Sequence, residues 1–256
     1  MALCEMSVYS KVLNYTTNVT VILPKRTKAP YTDIPVLYLL HGLSDDNSAW
    51  LRYTSLERYI RNMNLIVVMP DAGRSYYQDM KYGMNYYTFI SEELPNLIKD
   101  YFPITKKREH TYIAGMSMGG FGAYKIALNN PERYGCAGSF SGVLDFPDWV
   151  EKSIKQKHPR SKIFYNSFGP SITKEQLLGG ENDLISLAIT KKESILPRLF
   201  QCCGTEDFIY TNNQSFRKAC EHENIRITYK ESKGSHEWSF WDQAIQDFLN
   251  WLENLN

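Results

Sequence analysis

Residues 110–129 run from the apolar stretch His110-Thr111-Tyr112-Ile113-Ala114, through Gly115-Met116-Ser117-Met118-Gly119-Gly120, into a helical stretch ending at Asn129. A serine placed this way sits at a sharp turn from strand to helix. Glycines two residues to either side let the two elements approach without colliding side chains. The bare G-x-S-x-G pattern arises by chance in roughly one chain of this length in ten. Its weight comes from its flanks, because a buried strand before it and a helix after it are what an exposed nucleophile requires.

The rest of the chain fits that context. Residues 2–10 and 16–24 alternate apolar and polar side chains, which predicts two antiparallel strands, followed by a polar, Pro-bearing loop at 25–35. Apolar runs at 36–40, 65–69, 111–114 and 134–140 then alternate with helical patterns at 87–101 and 119–129, the signature of a parallel sheet covered on both faces. The rhythm breaks at 141–195, read as an insertion or small lid with short helical stretches at 174–178 and 183–188. It resumes with a strand at 199–203, a helix at 212–222, a strand at 225–229 and a closing amphipathic helix at 238–252. No repeat or linker divides the chain, so residues 1–256 are expected to form one domain.

Composition excludes several classes. Lys plus Arg (29) balances Asp plus Glu (28), which leaves no field to attract nucleic acid or an anionic membrane. The amino terminus lacks a secretion-signal pattern and no run reaches membrane-spanning length, so a cytoplasmic location is expected. Five cysteines without zinc-type spacing predict buried reduced thiols and no cysteine-held zinc.

A hydroxyl at neutral pH needs a base. Of five histidines, His236 lies between the last strand and the closing helix, whereas His41, His110, His158 and His222 read as structural or solvated. An acid to orient it should follow a late strand. Asp207 does, with Glu206, Asp145 and Asp183 as competitors. The oxyanion requires fixed donors, predicted as the backbone N–H groups of Met118 and Leu43. Trp50, Tyr76, Tyr77 and Trp238 are candidate pocket walls.

With those residues in view, the chain resembles the esterase D group of α/β-hydrolases, most closely the bacterial tributyrin esterases. The resemblance rests on Leu39-Leu40-His41-Gly42-Leu43, Met69-Pro70-Asp71-Ala72-Gly73, Gly115 to Ala123, Cys203 to Asp207 and Gly234-Ser235-His236-Glu237-Trp238. It implies an α/β-hydrolase fold and cofactor-free hydrolysis of short acetyl or butyryl esters. Feruloyl or acetyl-xylo-oligosaccharide esterases and S-formylglutathione hydrolase-like thioesterases or acyl transferases are the alternatives within the group. The expected partner is a small-molecule or oligosaccharide ester, and self-association into a homo-oligomer is compatible with the sequence.

Overall fold

In a computed structural model, which describes residues 1–25 and 32–255, the predicted runs pair into one eight-stranded sheet. Its strands are β1 (Ala2–Ser10), β2 (Tyr15–Leu23), β3 (Val36–Leu40), β4 (Ile66–Pro70), β5 (Thr111–Met116), β6 (Cys136–Phe140), β7 (Arg198–Gly204) and β8 (Ile227–Ser232). The spatial order is β1-β2-β4-β3-β5-β6-β7-β8. β2 runs antiparallel to both β1 and β4, and every other pairing is parallel. This is the α/β-hydrolase architecture expected from the sequence. Most of the loop expected at 25–35 lies outside the described residues.

Ten helices frame the sheet among the described residues: α1 (Ala49–Tyr53), α2 (Leu56–Tyr59), α3 (Tyr86–Thr88), α4 (Leu94–Tyr101), α5 (Met118–Asn129), α6 (Phe146–Lys155), α7 (Ser161–Phe168), α8 (Leu184–Thr190), α9 (Tyr210–His222) and α10 (Trp238–Glu253). The period-2 alternation of each strand divides the core into two layers. Val36, Tyr38 and Leu40 of β3 face one layer, with buried side chains of α4 to α9. Leu37 and Leu39 face the other, where α10 buries Trp241, Ile245, Phe248, Leu249 and Leu252 along one helical stripe. No described helix is long and apolar enough to cross a membrane.

Three departures from the sequence reading have local causes. The helix expected over 87–101 is interrupted by a π-helical turn, Phe89–Glu93, just ahead of Pro95, which has no N–H to continue the regular ladder. Residues 174–178 form only turns, closed by bonds from Leu177 and Leu178 to the Lys174 carbonyl. One isolated turn before Gly179 and Gly180 does not repay helix nucleation. Conversely α6 and α7 form inside 141–195, where the sequence predicts helical stretches only at 174–178 and 183–188. Asp145 caps α6 through a bond from the Asp148 N–H, and Pro147 sits in the first turn, where proline is tolerated. The segment 141–195, expected as an insertion or small lid, contributes Phe146, Val150, Ile163, Phe164, Leu184 and Ala188 to the main core.

Candidate active site

β5 ends at Met116 and α5 begins at Met118, leaving Ser117 as the turn between them, with φ 53° and ψ −116°. A non-glycine residue in that region is strained and persists only where its surroundings over-determine it. They do so here. The Ser117 N–H donates to the Phe140 carbonyl at 2.9 Å, and the Ser117 carbonyl accepts from the Phe121 N–H at 3.1 Å. A Cβ on Gly115 would stand 2.6 Å from the Gly119 carbonyl, so the tight approach tolerates glycine only.

The turn aims Ser117 Oγ at His236 Nε2, 2.9 Å away. On the far side of the ring, Nδ1 lies 2.9 Å from Asp207 Oδ2 and 3.1 Å from Oδ1. The carboxylate accepts a hydrogen bond from Nδ1–H, which leaves Nε2 free to accept from the serine hydroxyl. The Asp207 side chain is fully buried and also accepts from the Ile209 N–H at 3.0 Å. Its loop is tied to the histidine loop by bonds from Thr205 N–H to the Ser232 carbonyl and from Glu206 N–H to the Gly234 carbonyl, both 3.0 Å. Phe208 and Trp241 hold the imidazole from two sides, with ring centroids 4.5 and 4.9 Å away.

The competing acids are occupied elsewhere. Asp145 and Asp183 cap α6 and α8, and exposed Glu206 lies 3.8 Å from Lys233. His222 is on the surface beside Glu223, and His110 closes a short 3-10 turn. Buried His41 is structural: its Nε2 accepts from the Ala72 N–H at 2.9 Å and its Nδ1 donates to the Gly42 carbonyl at 2.7 Å. Those bonds pin the loop that carries Leu43. The Leu43 N–H meets no acceptor among the described residues. Met118 opens α5, where an N–H has no intrahelical partner.

Ser117, His236, Gly42 and Leu43 open onto a cavity of about 280 Å³ at the carboxyl ends of the strands, where ligands sit in such sheets. Of the four aromatic candidates only Tyr76 lines it. Trp50 is a core residue, with Nε1 donating to the Leu40 carbonyl at 3.1 Å and its ring edge-on to Phe140. Tyr77 is wholly buried and donates from its hydroxyl to the His41 carbonyl at 2.9 Å, bracing the same loop. Trp238 packs on Trp50, Tyr53 and Trp241. These rings are taken up by packing against one another, the core and the His41 loop. In their place the wall uses Trp149, His158, Arg160 and Phe208. Three of these four come from the aperiodic 141–195 segment, and His158, expected from the sequence to be structural or solvated, lies on the cavity wall. A larger cavity, about 720 Å³, opens beside Arg198 and Ile225 at the opposite ends of the strands and contains none of these groups. Among the described residues no cluster of three or more His, Cys, Asp or Glu side chains is arranged to hold a metal.

Comparison with known proteins sets the chain among esterases. The acetyl esterase of Caldicellulosiruptor saccharolyticus is 27% identical over 268 residues, covering all of both chains. The serine hydrolase FphF of Staphylococcus aureus superposes with a TM-score of 0.88 at 31% identity, with 98% of each chain covered. The S-formylglutathione hydrolase FrmB of the same organism superposes at 0.83 with 30% identity, again over 98% of each chain. Residues 10–252 match the family described as "Putative esterase". The chain therefore belongs to that esterase family, and it is a carboxylesterase of the α/β-hydrolase fold.

Proposed function

We propose that this carboxylesterase hydrolyses short-chain acyl esters, acetyl and butyryl above all, through an acyl-enzyme on Ser117. The observation that carries the reading is the unbroken relay of hydrogen bonds, Ser117 Oγ to His236 Nε2 at 2.9 Å and His236 Nδ1 to Asp207 at 2.9 Å. In this reading His236 takes the hydroxyl proton as Ser117 Oγ attacks the ester carbonyl. The N–H groups of Leu43 and Met118 stabilise the charge that develops on the carbonyl oxygen. His236 then gives the proton to the departing alcohol, and the acyl group stays on Ser117. Water attacks the acyl-enzyme by the same route in reverse. His236 accepts its proton, the acid leaves, and Ser117 is restored. Asp207 keeps the ring in the required tautomer and offsets the positive charge of the imidazolium.

The preference for short acyl chains is supported by the size of the cavity, about 280 Å³, and by the similarity to an acetyl esterase. The similarity to FrmB supports a second reading, thioester cleavage with the same acyl-enzyme and a thiol leaving group. The five cysteines are all unpaired, which supports a reducing, cytoplasmic setting. Steady-state hydrolysis of p-nitrophenyl acetate, butyrate and octanoate, of methyl ferulate and of an acetyl thioester tests the assignment. A maximum at acetate or butyrate is expected. A maximum at ferulate or at the thioester would replace it.

A further inference from the structure

The wall of the cavity carries more positive charge than the proposed hydrolysis uses. Arg74 and Arg160 both line it, and among the described residues neither is within ion-pair distance of a carboxylate. Arg160 is half-buried, its guanidinium carbon 4.3 Å from the Trp149 ring and 6.0 Å from the Phe208 ring. Burial lowers its pKa, with the Tyr76 hydroxyl pulling the other way. Phe208 in turn packs on His236, so Arg160 stands one ring away from the imidazole.

Among the described residues the N–H donors of Arg160 meet His158 alone. Its Nε and backbone N–H approach His158 Nδ1 at 2.9 and 3.2 Å, and its Nη2 approaches Nε2 at 3.1 Å. Guanidinium has only donors, and a neutral imidazole has a single acceptor nitrogen. Whichever tautomer His158 adopts, at least one of these side-chain contacts sets donor against donor. The pair is short of an acceptor beside the reacting groups. Other acids nearby do not supply it. Asp45 lines the same cavity, but burial raises its pKa and it makes no ion pair with either arginine. Asp148, in the adjoining cavity that Arg160 also lines, is engaged by Lys152 at 2.8 Å and Lys174 at 3.7 Å. The Asp207 carboxylate is shut behind His236.

We propose that Arg160, backed by His158, is an anion subsite, and that the preferred esters carry a carboxylate beyond the scissile bond. This rests on Ser117 being the nucleophile of the cavity. An exchange of water for the pair's missing acceptor is a charge-assisted bond, which favours the charged substrate over its neutral counterpart.

Matched ester pairs test the subsite from either side of the scissile bond. Monomethyl glutarate against methyl valerate places the charge on the acyl side. 3-(4-Acetoxyphenyl)propanoate against 4-propylphenyl acetate places it on the alcohol side. The expected result, read by pH-stat, is a charged-to-neutral ratio of kcat/KM of about tenfold or more in at least one pair, carried in KM. That ratio falls towards one in Arg160→Gln, is partly kept in Arg160→Lys, and shrinks in high salt. A merely structural arginine would lower both members of a pair together and leave the ratio unmoved. Ser117-dependent turnover with no charge preference in either pair, or with a ratio that Arg160→Gln leaves intact, overturns the subsite and spares the esterase reading. Absence of Ser117-dependent turnover of all four esters overturns both.

Discussion

A Cβ on Gly119 would stand 2.5 Å from the carbonyl oxygen of Leu40, the same oxygen that accepts the Trp50 indole N–H. The contact joins the helix after Ser117 to the strand that leads into the Leu43 loop, so one backbone approach positions Ser117 and that loop together. The obstructing atom is backbone and cannot rotate aside. Gly119→Ala is expected to cost about 1–3 kcal/mol of stability by overpacking, and about a hundredfold in kcat by displacing Ser117 on the scale of an ångström. Urea denaturation and steady-state kinetics on the same preparation check both.

Asp207→Asn preserves the volume of a fully buried side chain and the acceptor for the Ile209 N–H while removing the negative charge opposite His236. The expected loss in turnover is roughly ten-thousand-fold. A loss below tenfold in steady-state assays would leave Asp207 with a structural role only.

Trp50 and Tyr76 separate packing from pocket. Trp50→Ala empties a core site and should cost about 3–5 kcal/mol in chemical denaturation, while leaving the ratio of acetate to butyrate turnover where it was. Tyr76→Ala enlarges the cavity next to Ser117, and the ratio should move towards longer acyl chains.

Lys125 of α5 is completely buried, its Nζ 2.5 Å from Gln78 Oε1, 3.1 Å from Glu181 Oε1 and 4.5 Å from the Tyr87 ring centroid. Burial pulls its pKa down from 10.5 to about 8, against the opposing pull of Glu181. Between those values the unfolded chain binds more protons than the folded one, so this residue's contribution to stability rises with pH across the window and is lost as pH falls through about 8. The stability difference between wild type and Lys125→Met should therefore shift in favour of wild type between about pH 7.5 and pH 9.5 in urea titrations. A difference that stays flat or moves the other way would contradict the buried charge.

Much of this was legible in the sequence because the signals are local. The β3 run is buried at every residue, so its continuous apolar character announces a two-faced strand. The elbow is written in Gly115 and Gly119 because backbone approach there excludes any side chain. Asp207 and His236 stand out in the sequence by their places after late strands, and the structure sets His236 against Ser117 and Asp207 against the far side of the His236 ring. The pocket wall was not legible. Trp50 and Tyr77 look like ligand contacts in sequence, yet each spends its polar atom on a buried carbonyl. Trp149 and Arg160 reach the cavity only through the packing of α6 and α7, a long-range matter that no periodicity in 141–195 discloses.

The most direct test of the account is the turnover of p-nitrophenyl butyrate by Ser117→Ala beside wild type, with matched folding confirmed by circular dichroism. Removal of Oγ leaves His236 and Asp207 with nothing to activate, and the predicted loss in kcat is on the order of a million-fold. A variant that keeps more than a tenth of the wild-type rate would contradict Ser117 as the nucleophile.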